Sequence, residues 1–139
     1  MKTCKLYLRI PAHICTSVDF AELHLSDVVN ALLITDTKGI SPNMLQPFVA
    51  AMGSQNVAVL IENDASLAKR LDADGVHLRA HLGSVAEARK LLGDEVAIGV
   101  SCPLNRHDAM EAGETGDSYV AVGESDADNL NEVAAMIRW

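Results

Sequence analysis

The chain has 139 residues, 49% of them apolar but only 4% aromatic, and its formal net charge is −8. That length holds one domain with a sizeable core and is short for two. The acidic balance, with no basic cluster to offset it, excludes a nucleic-acid surface, and no uncharged apolar run approaches the roughly 18 residues of a membrane helix.

The opening segment does not read as a signal peptide, because Lys5 and Arg9 interrupt its apolar residues. A cytoplasmic protein is therefore expected. Apolar runs at residues 6–10 and 31–34 read as the first two strands. Ser41-Pro42 then starts a helix over residues 43–52, closed by Gly53. A third run, 57–61, stops abruptly at Glu62, Asn63 and Asp64, and a helical stripe of Leu67, Ala68 and Leu71 follows it. The fourth run covers 75–78. Ser84 with Glu87 three residues on forms a capping box for a helix carrying Val85, Ala88, Leu91 and Leu92, which Gly93 ends. Runs at 96–100 and 119–122 complete the set, and Leu130, Val133, Ala134 and Ile137 share one face of a last helix. Strand and helix alternate six times with short connections, which predicts an α/β fold with a parallel sheet built by right-handed crossovers. "LDADGVHL" and "TGDSYVAV" form a weak internal repeat, each with an Asp just before a strand. Nothing resembles an interdomain linker, so residues 1–139 are read as a single domain.

In parallel α/β folds, ligands bind beyond the carboxyl ends of the strands. Along that edge the sequence places Pro11, His13 and Cys15, then Thr35, Asp36 and Lys38, then Glu62, Asn63 and Asp64. Arg79 and His81 follow the fourth run, Ser101, Cys102 and Asn105 the fifth, and Gly123 and Glu124 the sixth. Some of these residues have simpler roles. Asp64 suits the N-cap of the next helix, worth about 1 kcal/mol; Asp74 and Asp117 suit turns; His77 suits a structural place within its strand, and Ser101 a turn ahead of Pro103. Cys4, Cys15 and Cys102 are an odd set at wide spacing, which fits free thiols better than disulfides. His13, Cys15, His81 and Cys102 would suit zinc if they converged, but their spacing matches no common metal motif.

The stretch "LIENDASLAKRLDADGVHL" resembles the thiamine phosphate synthase (TenI-like) family, whose third strand ends in Asn-Asp and whose fourth reads Ala-Asp-Gly-Val-His-Leu. The resemblance continues through "SVAEARKLLGDEVAIGVSC" and "AMEAGETGDSYVAVG". It covers residues 57–123 well and residues 6–53 by layout. The family is a (β/α)8 barrel, which implies a barrel-derived fold here, an incomplete barrel of about six β/α units. It couples an aminopyrimidine pyrophosphate to a thiazole phosphate with Mg2+ and releases pyrophosphate. Carried over by position, the resemblance assigns pyrophosphate and Mg2+ binding to Asn63 and Asp64, with Asp64 the metal ligand. Ser101 matches the serine near the pyrophosphate, and Lys38 the lysine after the second strand.

Several positions depart from the family. Its second strand carries Gln-x-Arg-x-Lys, whereas the aligned residues here are Ile34, Asp36 and Lys38. An aspartate in place of arginine removes a bidentate phosphate donor and adds repulsion. After Gly-Val-His-Leu the family has Gly-Gln-x-Asp; here Arg79, Ala80, His81 and Leu82 supply no second metal carboxylate. The loop after the sixth strand is the short "ESDADN", and Trp139 precedes the expected place of a seventh strand. The resulting expectation is a thiamine phosphate synthase-like protein with little or no activity. The alternatives are a non-catalytic or regulatory binder of a small phosphorylated molecule and, third, a metal or redox protein. Six strands cannot close an eight-stranded barrel. Apolar residues facing the would-be barrel interior, drawn from residues 6–10 and 119–122, would then meet water, and a homodimer or higher closed oligomer is expected to cover them.

Overall fold

Each of the six apolar runs becomes a strand, matching to within two residues at either end: β1 (Leu6–Pro11), β2 (Val29–Thr35), β3 (Ala58–Glu62), β4 (Gly75–Arg79), β5 (Ala97–Cys102) and β6 (Tyr119–Val122). The computed structural model describes residues 6–17, 19, 24–25, 27–79, 84–103, 106–114 and 116–123. Cys4, His81, Asn105, Glu124 and the final stripe of Leu130, Val133, Ala134 and Ile137 lie outside the described residues. All pairings are parallel, and the strand order is β1-β2-β3-β4-β5-β6. Consecutive order in an all-parallel sheet is the topology of a (β/α) barrel, here an incomplete one.

Among the described residues five helices lie in the crossovers: α1 (Ala12–Ser17), α2 (Pro42–Ser54), α3 (Ala65–Arg70), α4 (Val85–Leu92) and α5 (Arg106–Gly113). Pro42 opens α2 as expected, but Gly53 lies within that helix and Gln55 caps it. The Ser84 hydroxyl accepts from the Glu87 amide at 3.3 Å, and Gly93 ends α4 with φ +90°. α1 follows β1 directly, and no apolar periodicity in the sequence announces it.

Side chains alternate across a strand, and the alternation sorts this sheet into two chemically different faces. Ile10, Leu32, Ile34, Val59, Ile61, Val76, Leu78 and Ile98 point outward and pack against Leu45, Phe48, Val49 and Met52 of α2 and Leu67 and Ala68 of α3. A smaller cluster of Val100, Cys102 and Ala112 continues this layer under α5. The main core therefore lies between sheet and helices. On the other face stand Tyr7 and Arg9 of β1, Leu33 of β2, Leu60 and Glu62 of β3, His77 and Arg79 of β4, Ser101 of β5 and Tyr119 of β6, so that face is mixed, apolar at Leu33 and Leu60 and polar along β1, β4 and β6. This corrects the expectation of an apolar interior at the two end strands. The exposed apolar residues of β1 include Leu8, on the outward side with Ile10, and Leu6.

The internal repeat has a structural meaning at the strand starts. Asp74, just before β4, donates its amide to Val59 O at 2.9 Å and accepts the Val59 amide on Oδ2 at 2.8 Å. Ser118, just before β6, does the same with Ile98: its amide donates at 2.6 Å and its hydroxyl accepts at 3.1 Å. The equivalent of Asp74 is therefore Ser118 rather than Asp117. Both clamps fix where one strand begins relative to the start of its neighbour, and so hold register.

One register row runs Glu62, His77, Gly99, Tyr119 across β3 to β6. Gly99 leaves a gap in that row, and the Tyr119 ring fills it: a Cβ at Gly99 would collide with the ring. Gly99→Ala should therefore displace Tyr119 and destabilise the fold by about 2 kcal/mol. Chemical denaturation of the two proteins measures this, and an unchanged midpoint would mean that the ring does not lie over Gly99.

Candidate functional site

The residues singled out at the carboxyl edge are held there by unusual backbone. The first residue after β2, β3 and β6 is Asp36, Asn63 and Gly123, with φ of 52°, 53° and 83°. Left-handed φ turns the chain sharply away from the strand, and Asn, Asp and Gly tolerate it best. This accounts physically for polar residues where an apolar strand ends.

At β3 the turn produces a dense set of bonds. The Asn63 amide donates to His77 O at 2.8 Å, and its side-chain Oδ1 accepts the Arg79 amide at 2.7 Å. Asn63 thus prolongs the β3–β4 pairing beyond the strand. Asp64 Oδ1 accepts the Leu67 amide at 2.8 Å, capping α3. The capping role of Asp64 is real, and it occupies one carboxylate oxygen. Ser101 is buried on the inner face, in register with Arg79. Lys38 is exposed in the turn after β2, and Asp36 beside it accepts the Thr35 hydroxyl on Oδ2 at 3.2 Å. Asn63 and Asp64 are adjacent on one turn, while Ser101 and Lys38 belong to β5 and to the turn after β2, on the same edge.

Two inner-face clusters were not apparent from the sequence. In the first, Glu62 Oε1 meets Arg9 Nη2 at 2.9 Å and Arg79 Nη2 at 3.6 Å, joining β1, β3 and β4. In the second, the Tyr119 hydroxyl lies 2.9 Å from the Tyr7 hydroxyl and 2.9 Å from His77 Nδ1, joining β1, β4 and β6. The two tyrosine rings meet edge to face with centroids 6.0 Å apart, and the His77 and Tyr119 centroids are 5.6 Å apart. His77 is buried and serves this network, as a structural role requires. Polar residues at every second position of β1 and β4 were the available signal, because a buried parallel strand is normally apolar on both faces.

Three of the four residues considered for zinc are described, and they form no metal-binding group. His13 and Cys15 sit on α1, Cys102 is buried on the outer side of β5, and His81 lies outside the described residues. Among the described residues, no group of three His, Cys, Asp or Glu could hold a metal ion. Cys15 and Cys102 are buried free thiols. Burial pushes Cys15 up to about 11. It also raises Cys102, with Asp108 and Asp117 adding to the effect.

A parallel, consecutively ordered sheet with acid, amide and hydroxyl groups at its carboxyl edge defines a barrel-type α/β protein, an architecture whose ligand sites lie at that edge. The sequence profile of the family described as thiamine monophosphate synthase matches residues 32–136, and the chain belongs to that family. It is 50% identical over 80 residues to the thiamine-phosphate synthase of Erythrobacter litoralis, covering 58% of this chain and 38% of that protein. The thiamine-phosphate synthase of Rhodospirillum centenum is 32% identical over 137 residues, covering 88% of this chain and 62% of the relative. The chain thus spans less than two thirds of either. The structure of thiamine phosphate pyrophosphorylase from Pyrococcus furiosus superposes with a TM-score of 0.69 at 20% identity, covering 86% of this chain and 60% of that one, a likeness of fold.

The donor set at β3 is a limited fit to Mg2+. Asp64 offers one carboxylate with an oxygen already committed, which cannot make a dedicated cage. Mg2+ is commonly held by one or two carboxylates together with ligand phosphates and water. Asp64 fits that arrangement.

The tyrosine cluster makes an optical prediction. Burial chiefly raises both phenols above the ordinary value of 10.0; the bond to Tyr119 and the Arg9 charge pull Tyr7 partly back, while Tyr7 raises Tyr119 further. With raised values the folded chain holds protons that the unfolded chain releases. Their stabilising contribution is complete below pH 10 and is lost as pH rises above it, and Cys15 contributes a similar loss between about pH 9 and 11. The chain has two tyrosines, so an ultraviolet phenolate titration should show both ionising above pH 10 in the native protein and near 10 in concentrated guanidinium. Native titration at 10 would contradict the partly covered, hydrogen-bonded pair.

Proposed function

We propose that this protein binds a small phosphorylated molecule, of the pyrophosphate-bearing kind, together with Mg2+ at the carboxyl edge of the sheet, and that it forms little or no thiamine phosphate. The adjacent placement of Asn63 and Asp64 beyond β3 carries this reading. Asp64 retains one carboxylate oxygen for a hard cation and Asn63 its amide nitrogen to donate to phosphate, which supports binding. Ser101 is the hydroxyl donor to the ligand and Lys38 its flexible counter-charge.

The same geometry supports weak turnover. A leaving pyrophosphate needs positioned positive charge in the transition state. The Asp36 carboxylate stands where the family resemblance calls for arginine, and Arg79 begins the segment where it calls for Gly-Gln-x-Asp. The first exchange places negative charge where a departing pyrophosphate needs positive charge, and the second leaves out the carboxylate that would help to hold the metal. Binding without efficient chemistry is the consistent outcome, in a protein of the cytoplasm.

Calorimetry with Mg2+-pyrophosphate should give sub-millimolar affinity at best, about −4 kcal/mol, lost on Asp64→Ala. No Mg2+-dependent heat, or heat unchanged by that substitution, would reduce Asn63 and Asp64 to their capping and pairing roles. Thiamine phosphate formation from the two family substrates should be undetectable, and turnover abolished by Asp64→Ala and Ser101→Ala would contradict that part.

The protein is also proposed to be a homodimer or a higher closed oligomer. Among the described residues β1 pairs with β2 and β6 with β5, leaving one side of each unpaired, and Leu6 and Leu8 are exposed on β1. Light scattering on a sizing column should give at least twice the 14.8 kDa of one chain. A monomer that persists at high concentration would contradict the assembly.

A further inference from the structure

We propose that Tyr7 and Tyr119 form an oxidative cross-linking site, at which one-electron oxidation joins the two rings as a dityrosine and ties β1 to β6 covalently. The proposal is independent of the binding reading above. It uses none of the residues assigned there and needs neither phosphate nor Mg2+.

Proximity is the first argument. Two tyrosyl radicals couple efficiently only where their rings are already neighbours, because each radical otherwise escapes into other reactions. The chain has two tyrosines, and although 112 positions separate them, their hydroxyls lie 2.9 Å apart. The ring carbon that reacts, ortho to the hydroxyl, adjoins the carbon bearing the oxygen. Hydroxyls in contact therefore bring an ortho position of each ring close to the other ring. Held in this way, each ring meets the other at an effective concentration far above that of a second chain in dilute solution.

Geometry is the second. The centroids are 6.0 Å apart and the ring planes are inclined by 67°. A single carbon–carbon bond joins the two rings of a dityrosine and tolerates a twist about itself, so this inclination is no obstacle. What coupling requires is a slide of one ring along the other. Tyr7, 43% exposed, is the ring with room to move, whereas Tyr119 is seated over Gly99.

The path of the protons is the third. A phenol that loses an electron becomes a strong acid and must give up its proton. The Tyr119 hydroxyl lies 2.9 Å from His77 Nδ1, so the imidazole tautomer protonated on Nε2 can take that proton directly and pass it on to solvent. Tyr7 releases its proton to water. The two phenoxyl radicals then pair their odd electrons in a bond between ortho carbons. The hydrogens on those carbons move to the oxygens, which restores both phenols. In sum, two electrons and two protons leave the pair. The electrons reduce two equivalents of a one-electron oxidant, of the class represented by peroxide-activated haem and photogenerated ruthenium(III) complexes. The product fixes by a covalent bond the curl that the hydroxyl bridge holds reversibly.

Illumination of the purified protein with ruthenium(II) tris-bipyridyl and persulfate, at a dose that converts free tyrosine to dityrosine, tests the site. The native protein should develop dityrosine fluorescence, and the mass of a single chain should fall by that of two hydrogens. Proteolytic mapping should find the peptide carrying Tyr7 joined to the one carrying Tyr119, in a yield that does not change on dilution. In concentrated guanidinium, where the pairing is lost, the intrachain yield should fall about tenfold or more. Tyr7→Phe, a conservative change at a half-exposed ring, should abolish the product. Mapping of the unaltered chain decides the matter alone if that variant does not fold. No dityrosine at that dose would overturn the proposal. So would dityrosine that only joins separate chains, or that forms as readily in guanidinium as in the native protein.

Discussion

The Tyr119 hydroxyl, shared between Tyr7 and His77, is the interaction on which the shape of this molecule turns. Tyr7 is on the first strand and Tyr119 on the sixth, and in a flat sheet of six strands the two could not meet. Neighbouring strands lie roughly 4.8 Å apart, so five spacings would separate the two end strands by far more than two side chains can span. A hydroxyl–hydroxyl distance of 2.9 Å requires the sheet to curl. Gly99 permits this by giving up its side chain so that the ring can lie across β5. His77 then holds the ring from the β4 side. The two ends of the described sheet are tied to each other through the interior by this polar bridge.

From that curvature follows the separation of duties between the two faces. The outward side carries the aliphatic core against the helices, which supplies most of the burial and hence most of the stability. The inward side buries Leu33 and Leu60 but also carries charges. Glu62 shows the constraint well: a carboxylate within a parallel sheet needs partners, and it finds them in arginines from strands on either side. One curled backbone therefore supports a dry layer that folds the chain and an inner face that holds its polar networks.

The fold was largely legible in the sequence, because aliphatic runs separated by capped helical stripes leave few other topologies. The capping box at Ser84 and the cap at Asp64 follow from local chemistry, and local chemistry is what a sequence displays most directly. What stayed hidden is of another kind. Arg9, Glu62 and Arg79 are separated by 53 and 17 positions, and nothing short of the strand register brings them together. Tyr7 and Tyr119 are 112 positions apart. The mistaken expectation of an apolar interior at the end strands has the same origin. A run such as "LYLRIP" reads as apolar in sum, yet its alternate residues Tyr7 and Arg9 are the ones that face inward. The repeat before β4 and β6 was seen, but its equivalence was assigned to Asp117, because aspartate matched aspartate by type. Position relative to the strand start, which identifies Ser118, decides the role.

The meeting of the first and last strands can be observed without a ligand, an assay or a substitution. The chain contains two tyrosines, so magnetisation exchanged between different tyrosine rings within one chain has a single assignment. In a sample with isotope-labelled tyrosine, diluted with unlabelled chain to suppress contacts between subunits, the account predicts a cross-peak between the ring protons of Tyr7 and Tyr119, whose centroids lie 6.0 Å apart. If both rings give sharp resonances and no cross-peak joins them, the sheet does not curl as described, and the inner face has no enclosed site.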